Sequence, residues 1–429
     1  MTSGAYDIER PESSADPGGT MGSQLRHALE RAVDERAGQL TMLRRRVHAA
    51  PEPSGEERET SLLVANALRA AGYEPRLMRG STGVIADLHL TSDSTSFIAL
   101  RAELDSVRTD DEKDVLYAST NPGLCHACGH DAHIAMNVTA AAVLAALAPR
   151  LGAMNLRHNL RFIFQPAEET AAGARSMIEQ GALDHVAGIV AQHAEPFLDV
   201  GVIGFRPGAL TVACRSFEIV VRGRSGHSAR PHEAIDPIPA ATTIVDLLYQ
   251  LAPRSIDSRY ALSVTVGSIQ AGSLANVIPD EARISGTLRA ARAEDMDAVE
   301  ARLRAILRGA QEATGCETEM TIGYSCPPTD NDATMIATMA HAAEDVVGPD
   351  GVKWLEVPSL GGEDFAYYQQ HVPGAIVRLG AALDDPDARR PLHSSMFDIN
   401  ERALTVGTKF MCTAAVRLAA HYEGETVTR

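Results

Sequence analysis

The densest group of chemically capable side chains is Cys125-His126-Ala127-Cys128-Gly129-His130-Asp131-Ala132-His133. Thiolate sulfur and imidazole nitrogen are ligands for zinc-like divalent ions. Cys128 and His130 stand two residues apart, a spacing that suits a turn or extended segment aiming both at one ion. The same residues also fit a turn with core cysteines ahead of a helix, or a Cys–His nucleophilic pair. A second group is FIFQ-Pro166-Ala167-Glu168-Glu169, where an apolar strand pattern meets paired carboxylates. Acids and proline belong at a helix N-terminus, where they suit the dipole and the unused amides, so this pair also has a purely structural reading. The chemical alternative gives the acids separate tasks: one ligates a metal, and the other takes a proton from a water activated by it.

Three more strand ends carry suitable groups. Asp105 follows the SFIAL strand in Arg101-Ala102-Glu103-Leu104-Asp105, His193 closes AGIVAQH, and His393 lies in PLHSSMFD after the last strand pattern. A lone strand-end histidine is usually just a satisfied polar residue. Their convergence carries more weight, because ligands of open α/β sheets bind beyond the carboxyl ends of the strands. Farther along, Gly226-His227-Ser228-Ala229-Arg230-Pro231-His232 leads into Asp236-Pro237, Asn276 precedes VIPDE, and Arg289 ends GTLRA. Spacing alone reads these as a polar loop, a turn and a solvated edge charge.

The elements that must position these groups alternate. Apolar residues near helical spacing predict a helix from about Ser23 until Pro51 and Pro53 stop it. Ser54 and Glu57 make a capping-box pattern for a second helix running to Gly72. GVIADLHL and SFIALRAEL read as strands, His133 to Ala148 as a helix, LRFIFQ as a strand, Glu168 to Gln180 as a helix and AGIVAQH as a strand. This order predicts an α/β fold with a mostly parallel mixed sheet flanked by helices. Residues 213–323 change character to β, α, β, β, α, β, the order of a ferredoxin-like split βαβ sandwich. A helix at Thr334 to Val347 and the strand AIVRLGA resume the first pattern, so the sandwich reads as an insertion. The expected organisation is a disordered leader over 1–22, a catalytic domain over 23–212 and 324–429, and an inserted domain over 213–323.

Bulk properties narrow the function. With 429 residues the chain exceeds one ordinary domain. A formal net charge of −17 argues against nucleic acid and anionic membranes as partners, since both require a basic patch. No run of about 18 apolar residues exists to span a bilayer, and the N-terminus lacks the apolar core of an export signal, so a cytoplasmic location is expected. Six cysteines scattered over this length predict free thiols.

RRRVHAAPEPSGEERET, LRAELD, HACGHDAH, FQPAEE, GHSARPHEAIDP, ANVIPDEARISGTLR, GGEDFAYY and PLHSSMFDINERAL occur in that order over about residues 24 to 420. In this the chain resembles the metal-dependent aminoacylase and carboxypeptidase superfamily. Within it, the chain is most similar to the hippurate hydrolases, N-acyl-amino-acid amidohydrolases and plant hydrolases of indole-acetyl amino acids. The resemblance implies two divalent ions per subunit, zinc or manganese with cobalt and nickel as alternatives. Cys128, His130, Glu169, His193 and His393 would bind them, one ligand being shared. It implies Glu168 as general base and Asp105 as the acid that orients the site. The inserted domain matches the family's lid, through which subunits pair into homodimers. His227, Asn276 and Arg289, with His232 of the same lid motif, match residues that hold the substrate, His227 from the neighbouring subunit. The implied substrate is a small N-acyl amino acid, with dipeptides and carbamoyl amino acids as alternatives and a non-catalytic binding protein as the remote one. The chain departs from the common Arg-Ala-Asp-x-Asp-Ala-Leu-Pro form: Glu103 replaces the first Asp, and Ser-Val-Arg-Thr replaces the end. Cys125 is also unusual.

Overall fold

The computed structural model describes residues 21–423; the leader expected over 1–22 falls outside them except for its last two residues. Contacts divide the described chain into two units: a smaller one of residues 211–329 with 358–363, and a larger one holding the rest. The expected catalytic segment 324–429 thus gives up two short pieces. The last strand of the smaller unit runs on to Cys326, and Ser359 bridges to Thr211.

The larger unit is built on an eight-stranded mixed sheet. Its order is Arg76–Leu77, Val84–Leu88, Asn159–Gln165, Phe97–Glu103, Val186–Glu195, Gly374–Gly380, Ile203–Phe205 and Val352–Trp354. The central strands Phe97–Glu103 and Asn159–Gln165 are buried at every residue, as expected of strands covered on both faces. They run parallel from the Phe97↔Asn159 pair to Glu103↔Gln165, so both end at one edge. Val186–Glu195 runs parallel on the other side, and Gly374–Gly380 lies parallel beyond it. The segments that leave the first two of these ends carry Asp105, Glu168 and Glu169, and His193 lies near the end of the strand Val186–Glu195. Over one face lies His130–Ala146, an alanine-rich helix buried along nearly its whole length. Small side chains on every side let it sit inside the core rather than on it.

Three local expectations fail for physical reasons. The first helix is two, Ser23–Asp34 and Ala37–Ala49, broken at Glu35 and Arg36; Gly38 in the first turn of the second weakens continuity. Ser54 and Glu57 do not form a capping box: the helix Arg58–Ala70 has no side-chain cap. Ser54 Oγ instead donates to Asp105 Oδ2 at 2.7 Å, and Glu57 Oε1 accepts the Ala167 amide at 2.8 Å. Glu168 and Glu169 do not open a helix either. They lie in a turn, flanked by Ala167 (φ 52°) and Ala171 (φ 54°), and the helix begins at Gly173. A Cβ at Gly173 would stand 1.6 Å from the Pro166 carbonyl oxygen, so the tight approach requires glycine there.

The smaller unit is a four-stranded antiparallel sheet ordered Leu262–Ala271, Glu281–Ala290, Ala213–Arg222, Glu317–Cys326. Alternate residues Phe217, Ile219 and Val221 share one core with Ile244 and Leu248 of the helix Pro237–Leu251 and Leu303 of the helix Ala293–Thr314. Asp236 caps the first of these helices by accepting from Ile238 N at 3.0 Å. All six cysteines are buried free thiols, and no described helix is long and apolar enough to cross a membrane.

Helical spacing puts Arg44 and His48 on one buried face of Ala37–Ala49. His48 Nδ1 lies 2.7 Å from Asp131 Oδ2 and Nε2 3.1 Å from Asp111 Oδ2. Burial opposes charge on this imidazole, but the Asp131 charge and the bonds to both carboxylates prevail and push it up to about 10. A folded-state pKa above the unfolded value near 6.5 means that this stabilisation is complete below about pH 6.5 and is lost as pH rises through 10. Urea midpoints of wild type and His48→Gln should therefore differ most at pH 6 and converge toward pH 10. A gap independent of pH would show that the imidazolium contributes nothing.

Candidate active site

Gly129, at φ 86°, ends the cysteine-rich turn and lets the helix start at His130. A Cβ there would meet Ala194 Cβ at 3.2 Å, so the turn packs directly on the strand that carries His193. Cys128 Sγ lies 3.5 Å from His193 Nε2. His193 Nδ1 donates to the Ala194 carbonyl at 2.8 Å, and His130 Nδ1 to the Asp105 carbonyl at 2.9 Å. Each bond to a carbonyl fixes the tautomer that leaves the Nε2 lone pair available. His130 Nε2 faces Glu169 Oε1 at 4.0 Å, and His393 Nε2 lies 3.4 Å from the same oxygen. His393 sits at φ 67°, held by its backbone N–H, which donates a hydrogen bond to the Ala127 carbonyl at 2.8 Å.

Three groups of potential ligand atoms each lie within 4.8 Å of one another: Cys128, His130, His193; Cys128, Glu169, His393; and His130, Glu168, Glu169. His130 Nε2 and Glu169 Oε1 are buried without a hydrogen-bond partner among the described residues. Two such atoms, a lone pair and a carboxylate oxygen turned toward each other, are costly unless something satisfies both. The mixed sulfur, nitrogen and oxygen donors fit a borderline divalent cation.

Electrostatics agree. The nearby Cys128 and Glu169 push His393 up to about 10, so this corner attracts positive charge. Burial disfavours charge on His130, yet Cys128 and Asp105 raise its proton affinity well above the usual value. Burial, with the Arg378 charge, keeps His193 well below it. A divalent ion here would displace protons from Cys128, His130 and His393. Burial, then the Glu169 charge, raises the Cys128 thiol, the opposite of what an activated nucleophile needs.

Asp105 is buried and would be disfavoured as an anion by that burial, but bonds from His130, Ser54 and the Glu169 amide (3.0 Å) hold it below the ordinary range. It thus ties the helix start at His130 to the Glu168–Glu169 turn. Glu168 Oε1 lies 3.4 Å from the Asp364 amide. Asp364 is anchored by Arg101 Nη2 and Gln165 Nε2, both at 2.8 Å, and by Ala174 N at 3.0 Å. Spacing in the sequence does not give roles to Ser54, Gln165 or Asp364, since their partners are remote in the chain.

The structure therefore brings together Cys128, His130, Glu168, Glu169, His193, His393 and Asp105. In the smaller unit His227 pairs with Val277, beside Asn276, whose carbonyl accepts the Ser228 amide at 3.2 Å. His227 Nδ1 accepts the Ala229 amide at 3.0 Å, and the side chain is exposed. His232 is exposed on a short turn, 3.8 Å from Glu233. Arg289 is half-buried on another strand and donates to the Leu360 carbonyl.

Peptidase family M20/M25/M40 matches residues 99–417, and the chain belongs to that family. It is 34% identical over 384 residues to the N-acetyl-L-cysteine deacetylase of Bacillus subtilis, covering 89% of this chain and 88% of that protein. An indole-acetyl (IAA) amino acid hydrolase of Arabidopsis thaliana is 31% identical, with 90% and 87% covered. Among solved structures, a dinuclear metal-binding M20 peptidase of Bacillus subtilis superposes with a TM-score of 0.73 at 32% identity, over 89% of this chain and 98% of that one. The protein is accordingly a metal-dependent hydrolase of amide C–N bonds.

Proposed function

We propose that this hydrolase removes the acyl group from small N-acylated amino acids, RCO–NH–CH(R′)COO⁻. The observation that carries the reading is the pair of partnerless buried atoms, His130 Nε2 and Glu169 Oε1, facing each other beside Glu168. Cys128, His130, Glu169, His193 and His393 would hold two divalent ions, zinc or manganese, or cobalt or nickel in their place. Such ions acidify a water and polarise a carbonyl oxygen. Glu168 takes the water's proton and returns it to the leaving amine. Asp105 positions His130. His227 would donate to the developing oxyanion, with Asn276 beside it. Arg289 supplies a guanidinium fork suited to the substrate carboxylate, and His232 borders the same lid motif. We also propose that the chain forms a homodimer through its smaller unit and that His227 acts on the partner's site. The deacetylase and amino-acid hydrolase relatives support the acyl amino acid substrate over a dipeptide or a carbamoyl amino acid.

The test is chelation followed by a substrate screen. Chelator should abolish hydrolysis, and zinc or manganese should restore it. Reconstituted enzyme should then favour N-acetyl and N-benzoyl amino acids over dipeptides and N-carbamoyl amino acids. Full activity in metal-free protein would refute the metal chemistry and favour a thiol mechanism. A preference for dipeptides would refute the substrate class alone.

A further inference from the structure

His133 lies one turn after His130 on the same helix and is fully buried, yet nothing in the proposed chemistry uses it. Its Nδ1 lies 2.8 Å from Glu103 Oε2, and its Nε2 accepts the Ala194 amide hydrogen at 2.9 Å. A carboxylate only accepts and an amide N–H only donates, so both ring nitrogens are satisfied and the tautomer is fixed. Neither is left to ligate an ion.

The Ala194 end is the informative one. The residue that gives its N–H to His133 also gives its carbonyl to His193 Nδ1, at 2.8 Å. The His133 and His193 rings meet edge to face, 4.9 Å between centroids. Behind His133, Glu103 is bound by Arg101, which also reaches Asp364 at 2.8 Å. Glu103 is the last residue of its strand, and Asp105 follows it two residues on, in the segment that leaves the strand end. Asp105 addresses His130; Glu103 addresses His133.

We infer that Glu103 and His133 form a positioning relay that holds the Ala194 backbone, whose N–H and C=O belong to successive peptide groups, and through it aims His193 Nε2 at the site; this rests on reading His193 as a metal ligand. Outer partners of a ligating histidine commonly govern metal affinity by about 10- to 100-fold. Here the outer partner reaches the ligand through the backbone of one residue, Ala194, rather than through a hydrogen bond to the ligand's own ring. The two oxygens of the Glu103 carboxylate touch His133 and Arg101 together.

Paired substitutions in the full-length protein test this. Glutamine in place of histidine can put its amide oxygen where Nε2 was and keep the Ala194 bond; asparagine mimics only Nδ1 and loses it. Metal affinity is read by competition with a chromophoric chelator, and folding by the urea midpoint of the metal-free protein. His133→Asn should release one of two ions about 10- to 100-fold more readily, and His133→Gln markedly less so. Glu103→Gln, which loosens the ring without touching the helix, should weaken the same ion. Equal loss in both His133 variants, tracking the metal-free midpoint, would reduce the role to packing and overturn the relay. Wild-type affinity for both ions in His133→Asn would overturn it too. Should His133→Asn not fold, Glu103→Gln decides: unchanged affinity rejects the relay. A wild-type chain that binds no ion would remove His193 as a ligand, a failure of the function proposed above that is visible before any variant is made.

Discussion

Glu168→Gln should lower turnover by at least ~10²-fold, the usual loss when a general base is removed, while metal content stays near that of wild type. Glutamine keeps the shape of the side chain and can still accept from the Asp364 amide, 3.4 Å from Oε1. The turn that carries it should therefore hold. What disappears is the capacity to take a proton and give it back. Glu169→Gln should behave differently. Its Oε1 stands between His130 Nε2 at 4.0 Å and His393 Nε2 at 3.4 Å, and an amide is a poor substitute for an anionic ligand. That variant should lose metal together with activity. Steady-state rates with metal analysis on both proteins separate the roles. Metal lost from Glu168→Gln and retained in Glu169→Gln would mean that the two acids have exchanged tasks.

The strands were legible because apolar runs bounded by turn residues have few other readings. The smaller unit was legible from its order of elements alone, and its sheet order and antiparallel register follow that order. The gathering of Cys128, His130, His193 and His393 could be anticipated because all fall near the ends of buried strands or in the segments leaving them. Other features depend on contacts that spacing does not encode. Ser54 and Glu57 have the spacing of a capping box, but their partners, Asp105 and the Ala167 amide, lie 51 and 110 residues away. Glu168 and Glu169 look like helix-opening acids because alanine gives no sign of the positive φ at Ala167 and Ala171. His133 was visible in the cysteine-rich cluster, yet its task depends on Glu103 and Ala194, which reach it from two different strands. Arg44 and His48 interrupt an otherwise apolar helix face, and only the fold reveals the carboxylates they meet.

Arg44→Met should be among the most destabilising single changes in the larger unit. The guanidinium is completely buried and divides its donors among three carboxylates: Asp131 at 2.7 Å, Asp398 at 2.7 Å and Glu401 at 3.3 Å. Methionine fills most of the same volume, so packing changes little and the loss is mainly electrostatic. Asp131 and Asp398 remain, the first wholly buried and the second nearly so, with His48 and Tyr117 as their remaining polar side-chain partners. Removing one member of a buried ionic network in this way costs about 3–5 kcal/mol, because the penalty of the uncompensated charges is exposed. Arg44→Lys should recover only part of it, since one ammonium cannot present a fork to three acids. The single tryptophan provides the probe: Trp354 belongs to the larger unit and packs on Phe205, 6.0 Å between centroids. Its fluorescence during urea unfolding reports that unit alone. A loss below about 1 kcal/mol, the scale of a surface ion pair, would show that water reaches these carboxylates and that the network does not hold the helix beneath the cysteine-rich turn.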